Sequence, residues 1–192
     1  MVKPAQDIDH EIVSSESEEL ILVDEDDNEV GHSSKAYCHD GDGVLHRAFS
    51  LFIFNGAGQL LLQKRSHKKR LWPLYWSNSC CSHPRAGETM SDAVHRRLFQ
   101  ELGMRSELKY LYKFRYHAKY GQSGSERELC WVYIGKSEDN VSVNGNEIAE
   151  WRFIDPAELE SEMSREPEGF TPWFIMEWER IAKEYKLELS NL

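Results

Sequence analysis

Between Trp76 and Met104 the chain runs from a polar segment, Cys80-Cys81-Ser82-His83-Pro84, into a one-sided helix. Val94, Leu98 and Leu102 recur every four residues and form a single apolar stripe, which has to be buried against another layer. Thr89 or Ser91 can cap the start, Asp92 suits the positive end of the helix dipole, and Gly103 supplies the left-handed residue that ends the helix. Arg97 and Glu101, also four apart, stand one above the other on a neighbouring face. A loop bearing a thiol and an imidazole therefore feeds a helix that presents a cation and a carboxylate, which is the arrangement of a site.

The segments on either side read mainly as strands. Leu20–Asp24 and Glu29–Gly31 form a small hairpin around Asp26-Asp27-Asn28, and Ser33–Gly43 reads as a loop. His46–Phe54 is apolar on both faces, as a central strand must be, and turns at Asn55-Gly56-Ala57-Gly58 into Gln59–Arg65. Ser66–Pro73 is a basic loop. Leu108–Tyr120 alternates, which puts Tyr110, Tyr112, Phe114, Tyr116 and Tyr120 on one face and Lys113, Arg115, His117 and Lys119 on the other. Glu126–Lys136 and Glu147–Ile154 are further strands; Pro156 opens a short helix, and Thr171–Tyr185 is an aromatic-rich terminal one. These elements predict an α/β/α sandwich around a mixed, largely antiparallel sheet.

Composition narrows the function classes. The 192 residues suit one domain, expected over residues 20–192, with the acidic stretch Met1–Glu19 as a mobile tail. A net charge of -10 argues against a nucleic-acid surface, so an anionic ligand would need a local basic pocket. No apolar run approaches membrane-spanning length and no signal peptide is visible. The four cysteines, Cys38, Cys80, Cys81 and Cys130, make no secreted disulfide pattern, and a reducing, cytoplasmic location is expected. The final Ser190-Asn191-Leu192 is discounted as a peroxisomal signal because Asn fills the basic position. The sequence leaves the oligomeric state open and is compatible with a monomer.

The helix and its loop resemble the Nudix box. The helical run Arg-Glu-x-x-Glu-Glu-x-Gly is met here by Arg96, Arg97, Leu98, Phe99, Gln100, Glu101, Leu102 and Gly103. Arg97 and Gln100 replace two of the three glutamates with which Nudix hydrolases hold metals for pyrophosphate cleavage; Glu88 and Glu101 remain, and Ser82 stands at the starting glycine. The segment Asn78-Ser79-Cys80-Cys81-Ser82-His83-Pro84 is closer still to the Asn-x-x-Cys-x-His-Pro of type I isopentenyl-diphosphate isomerases, and that resemblance extends from about Leu20 to about Trp178. It implies a Nudix-like fold and interconversion of isopentenyl and dimethylallyl diphosphate, a homoallylic and an allylic diphosphate, through a tertiary carbocation.

Residue by residue, the resemblance assigns a metal centre to His39, His46, His83, Glu126 and Glu128. Three imidazoles and two carboxylates suit Mn²⁺ or Zn²⁺ better than Mg²⁺, which prefers oxygen. Lys35, Arg65, Lys69 and Arg97, with the Ser82 backbone, match the diphosphate contacts, and Glu101 matches the ligand of a Mg²⁺ bound with the diphosphate. A cation at Arg97 favours phosphate oxygens over a metal. Cys81 and Glu128, with Tyr116 beside the latter, match the acid–base groups, and Cys80 reads as a small core residue. Trp173, in Phe170-Thr171-Pro172-Trp173, matches the indole that faces the cation, and Trp72 and Trp76 are further candidates for the wall. Two alternatives stand beside this reading. A Nudix pyrophosphohydrolase is weakened by Arg97 and Gln100, and a non-catalytic zinc module lacks paired Cys-x-x-Cys spacing.

Overall fold

The computed structural model describes residues 1–4 and 11–190. In chain order the elements are β1 (Lys3–Pro4), β2 (Glu19–Val23), β3 (Glu29–Ser34), α1 (Lys35–His39), β4 (His46–Phe54), β5 (Leu60–Arg65), β6 (Trp76–Ser77), β7 (Cys80–Ser82), α2 (Met90–Leu102), β8 (Leu108–Tyr120), β9 (Gly124–Lys136), β10 (Ile148–Ile154), α3 (Pro156–Arg165), α4 (Pro172–Glu184) and α5 (Lys186–Ser190). The strands join in one mixed sheet branched at β4. One edge of β4 pairs in parallel with β9 over its whole length, from His46 opposite Glu128 to Phe54 opposite Lys136. Its other edge is shared: β2 meets it at His46, β7 between Phe49 and Leu51, and β5 at Phe54. The remaining pairings are antiparallel.

Both faces of β4 are covered, which explains its unbroken apolar run. Phe49, Leu51 and Ile53 pack with Val94, Leu98 and Leu102 of α2. Ala48, Phe52 and Phe54 pack on the opposite face with Leu159 of α3 and with Trp173, Phe174 and Trp178 of α4. Fully burying one such side chain is worth roughly 1.5–3 kcal/mol, so each layer fastens its helix through several of them. The α/β/α sandwich expected from the sequence is the observed one. Thr89, not Ser91, caps α2 by accepting a hydrogen bond from the Asp92 N–H, and Gly103 closes it at φ 67.

Four local expectations change. The loop expected over Ser33–Gly43 contains α1, whose single turn is too short to show a period; Ser34 caps it. The polar loop around Cys80 is strand β7, anchored by side chains rather than by alternation: Ser79 Oγ donates to the Leu61 carbonyl at 2.7 Å and accepts from the Ile53 N–H at 2.8 Å, while Asn78 donates to the Cys80 carbonyl at 2.8 Å. In β8 the aromatic residues do not share one face. The register shifts between Tyr110 and Tyr112, so Tyr110 meets Trp131 and Tyr133 whereas Tyr112, Phe114 and Tyr116 belong to the α4 side. An inserted residue changes the face because side chains alternate with period two.

The fourth concerns the acidic tail. Its residues 5–10, like Asn191 and Leu192 at the other end, lie outside the described residues. The rest of the stretch is docked. β1 pairs with β10, Val13 is buried, and the Glu18 and Glu16 carbonyls accept from the Lys35 and Ala36 N–H groups at 2.8 and 2.9 Å. Composition concealed this docking because backbone groups make these bonds.

Gly124 fixes where α1 ends. Its φ of +139 is one that side chains rarely adopt, and an added Cβ would collide with the carbonyl of His39. Gly124→Ala should therefore cost about 2–4 kcal/mol, read by urea unfolding, and should weaken divalent-metal binding through the displaced His39. A variant with the parent's stability would show that α1 moves freely.

Candidate active site

Strand register assembles a row of side chains across the sheet: Tyr116 of β8 lies opposite Glu128 of β9, which lies opposite His46 of β4. Glu126, two residues earlier, shares the face of Glu128. His39 arrives from the last turn of α1, and His83 follows β7. One ligand atom from each of His39, His46, His83, Glu126 and Glu128 lies within 4.8 Å of all the others. The three imidazole centroids are 4.9–5.3 Å apart.

Second partners fix how two of these rings point. Nδ1 of His39 is 2.7 Å from the Lys35 carbonyl, and Nδ1 of His46 is 2.7 Å from the Val44 carbonyl. A carbonyl only accepts, so each Nδ1 carries the proton and each Nε2 turns a lone pair into the cluster, the arrangement usual for metal-binding histidine. There the polar atoms are incompletely served. His39 Nε2 and Glu126 Oε2 approach to 2.8 Å without hydrogen-bond alignment, and both Glu126 Oε2 and His46 Nε2 are buried with no hydrogen-bond partner. Buried polar atoms left unpaired are costly, and a shared cation satisfies them together. The donor set thus fits a divalent ion.

The electrostatics of His83 and the two carboxylates agree with that fit. Burial, followed by the neighbouring His46 and His39, holds His83 well below its ordinary value and favours the neutral ring. Burial also pushes the Glu126 and Glu128 carboxyls up, but His39 for the first and His46 for the second outweigh it, and both lie below the usual carboxylate range. Burial lowers His39, yet Glu126 outweighs that effect and leaves it raised.

Beside the centre opens a cavity of ≈ 560 Å³, lined among others by Lys35, Arg65, Lys69, Cys81, Ser82, Tyr116 and Trp173. The Tyr116 hydroxyl donates to Glu128 Oε2 at 2.6 Å, while Glu128 Oε1 stays 3.0 Å from His83 Nε2. Glu128 thus faces the metal cluster with one oxygen and the cavity's tyrosine with the other. Arg65 is held by the Leu71 and Trp72 carbonyls, approaches Cys81 Sγ at 3.8 Å, and lies 5.2 Å over the Trp173 ring. Burial pushes the Cys81 thiol up to about 12, against the pull of Arg65, so it keeps its proton at neutral pH. Trp72 packs edge-on to Trp173 at 5.3 Å and is itself held at φ 45, a strained value for a bulky residue. Trp76 is half-buried beside the same core.

Two expected site residues lie elsewhere. Arg97 and Glu101 are both buried on the inner face of α2, away from the cavity lining. Arg97 donates to Glu101 Oε1 from Nε at 3.0 Å and from Nη2 at 2.6 Å, and its Nη1 donates to the Val13 carbonyl. A carboxylate next to Arg97 that does reach the wall is Glu147, 2.6 Å from Lys69 and 3.7 Å from Arg97. In the sequence Glu147 reads only as the start of a strand, and a lone acid at a strand end carries no signal by itself. The docked N-terminal stretch was also missed as a wall: Ser14 accepts from Lys35 Nζ at 2.6 Å, and Glu16 pairs with it at 3.5 Å. Of the other cations in the basic loop, Lys68 donates to Asn146 at 2.7 Å and Arg70 pairs with Asp40.

The NUDIX domain profile matches residues 44–174, from just before β4 into the first turn of α4. Among solved structures, a Deinococcus radiodurans protein superposes with TM-score 0.63 at 24% identity over 77% of this chain and 90% of its own. The MutT protein of Methanosarcina mazei Go1 gives 0.60 at 19% over 74% and 96%. These likenesses concern the fold. Sequence relatives are more specific: isopentenyl-diphosphate Delta-isomerase 1 of Photorhabdus laumondii is 42% identical, with 88% of this chain and 97% of the relative covered. The Burkholderia multivorans isopentenyl-diphosphate Delta-isomerase is also 42% identical, over 86% and 93%. The chain belongs to the isopentenyl-diphosphate Delta-isomerase family of NUDIX proteins.

One buried acid lies behind the site. Glu177, one turn beyond Trp173 on α4, is fully buried; Cys130 Sγ approaches its Oε1 at 3.5 Å and its Oε2 has no hydrogen-bond partner. Burial raises its carboxyl to about 8, with Ser50 and Cys130 pulling down and Glu128 adding to the rise. The folded value lies above the ordinary glutamate value of 4.5, so the stability from the neutral acid is complete below that pH and is lost as pH rises through about 8. Glu177→Gln keeps the shape without titrating. Between pH 5 and pH 9 its urea-unfolding stability should gain on the parent's by on the order of a few kcal/mol, at about 1.4 kcal/mol per unit. A difference flat with pH would mean that Glu177 is ionised in the fold.

Proposed function

We propose that this chain interconverts isopentenyl diphosphate and dimethylallyl diphosphate, as the names of its relatives indicate. The observation that carries the reading is the single cavity that gathers the Cys81 thiol, the Glu128–Tyr116 pair and the Trp173 indole beside Lys35, Arg65 and Lys69. The cations hold the diphosphate as an intact handle, with the Ser82 backbone beside them. One of Cys81 and Glu128 delivers a proton to the terminal methylene carbon, which leaves a tertiary carbocation. The other removes a proton from the carbon between that centre and the diphosphate-bearing carbon, and the double bond moves. The thiol of Cys81 carries the proton such a step needs, and Tyr116 orients Glu128 through its hydrogen bond. Trp173 and Trp72 exclude water that would trap the cation, and the indole face favours positive charge.

His39, His46, His83, Glu126 and Glu128 would hold a divalent ion, and the mixed nitrogen and oxygen donors favour Mn²⁺ or Zn²⁺. That ion supplies positive charge beside Glu128 and fixes its orientation. The orphaned His46 and Glu126 atoms support this centre. A Mg²⁺ carried with the diphosphate on Glu101 has no such support, since that carboxylate is buried away from the cavity lining with its Oε1 on Arg97. A pyrophosphohydrolase needs carboxylates where this chain has Arg97 and Gln100. A cytoplasmic location is in keeping with four free cysteines, and among the described residues no helix is long and apolar enough to cross a membrane.

In deuterated water, the protein should place deuterium on carbon in both isomers and release neither phosphate nor pyrophosphate, as followed by mass spectrometry and NMR. Phosphoanhydride cleavage without carbon exchange would overturn the reading. Cys81→Ala should lose nearly all turnover while keeping its melting temperature. Cys80→Ala, altering a core residue, should stay within a few-fold, about 1 kcal/mol or less in barrier. The reverse ranking would reassign the thiol. His83→Ala and Glu126→Gln should each lose bound metal in elemental analysis of purified protein; full occupancy in both would refute the five-donor centre.

A further inference from the structure

A carboxylate on the wall of an anion's pocket calls for a physical reason. Glu147 is buried there with its Oε2 at 2.6 Å from Lys69 Nζ, and its other oxygen faces Arg97 at 3.7 Å. Behind Arg97 stands Glu101, doubly hydrogen-bonded to the guanidinium. Charges therefore alternate from the helix to the cavity: Glu101, Arg97, Glu147, Lys69. The backbone reinforces the last link, since the Ser66 N–H donates to the Glu147 carbonyl at 2.8 Å and the Lys69 N–H to the Ser66 carbonyl at 3.1 Å.

We propose that Glu147 is a positioning residue of the diphosphate site: it holds the Lys69 ammonium at the cavity, and Arg97 offsets the negative charge that Glu147 would otherwise show to the bound anion. The inference rests on the isomerase reading for the identity of the substrate. An ammonium has three N–H groups, so the bond to Glu147 leaves two for a phosphate oxygen. Lysine side chains are long and lose much rotamer freedom when fixed, and a partner already in place spares the ligand that cost. Arg97 faces Glu147 from the side away from the cavity lining. Its salt bridges explain why a cation in the helix is buried behind the wall rather than exposed in the cavity.

The test is a double-mutant cycle on the full chain with Glu147→Gln, Lys69→Gln and the pair. Affinity for inorganic pyrophosphate is read by calorimetry, and KM and kcat are read with isopentenyl diphosphate. Glu147→Gln should weaken pyrophosphate binding by about tenfold and raise KM by a similar factor, with kcat within about threefold. In the Lys69→Gln background the same substitution should change affinity by less than about twofold, because the ammonium it positions is gone. Additive losses would show that Glu147 acts on the fold and not through Lys69. Tighter binding by Glu147→Gln would show that the carboxylate merely competes with the anion, and no change would show that Lys69 needs no partner; each of the three overturns the proposal. Melting curves accompany every variant. If Glu147→Gln does not fold, Glu147→Asp, which withdraws the carboxyl by one methylene, takes its place in the cycle with the same non-additivity expected. Pyrophosphate binding requires no carbon chemistry, so an inactive parent protein would count against the isomerase reading and leave the cycle interpretable.

Discussion

The parallel pairing of β4 with β9 is the constraint on which the rest of the molecule depends. It places His46 beside Glu128 at one end and extends to Phe54 at the other, so one ladder carries both the metal cluster and the centre of the core. A slip of one residue would turn Glu126 and Glu128 away from the histidines and set the wrong side chains against each covering layer. Parallel strands need a long connection, and the segment between these two contains β7 with Cys81, the following His83 and the whole of α2. Arg65, Lys69, Cys81, His83 and Tyr116 are thus carried by the crossover that the pairing requires. The covering helices act from opposite faces, α2 on Phe49, Leu51 and Ile53 and α4 on Phe52 and Phe54, and hold the register by burial.

Much of this arrangement could be read from the amino-acid order because the relevant signals were periodic or locally clustered. The run His46–Phe54 identified itself as central by being apolar on both faces, and α2 by its stripe and its glycine stop. The five metal-centre candidates were found through family resemblance, not spacing; they come from four separate segments, and no local pattern links His39 to Glu126. What stayed hidden had no period or no side-chain signature. The turn of α1 is five residues long, β7 is three, and the docking of Val13 and Glu16 relies on backbone carbonyls. Glu147 and Glu177 escaped notice because a single acid in sequence looks the same whether it faces water, a lysine or a closed core.

Charge handling differs between the two halves of the site. Around the metal cluster, imidazoles and carboxylates approach one another with imperfect alignment, which leaves valence for an ion. Around the anion pocket, the cations are already partnered: Arg65 with the carbonyls of Leu71 and Trp72, Lys35 with Ser14 and Glu16, Lys69 with Glu147. The first half is built to be completed and the second to be kept in position. Arg65 also ties the anion pocket to the acid–base wall, since the same guanidinium reaches the Cys81 sulfur and the Trp173 ring.

The bulge in β8 between Tyr110 and Tyr112 works as an expansion joint. On its far side Tyr110 belongs to the aromatic group of Trp131 and Tyr133, and on its near side Tyr112 to Tyr120 follow the register that brings Tyr116 to Glu128. Insertions or deletions arriving from the α2–β8 connection can be absorbed there by moving the irregularity along the strand. The same event between Tyr112 and Tyr120 has no such outlet and would rotate Tyr116 out of the row. The fold therefore separates a stretch that tolerates drift in length from one that does not, and the boundary falls at Leu111.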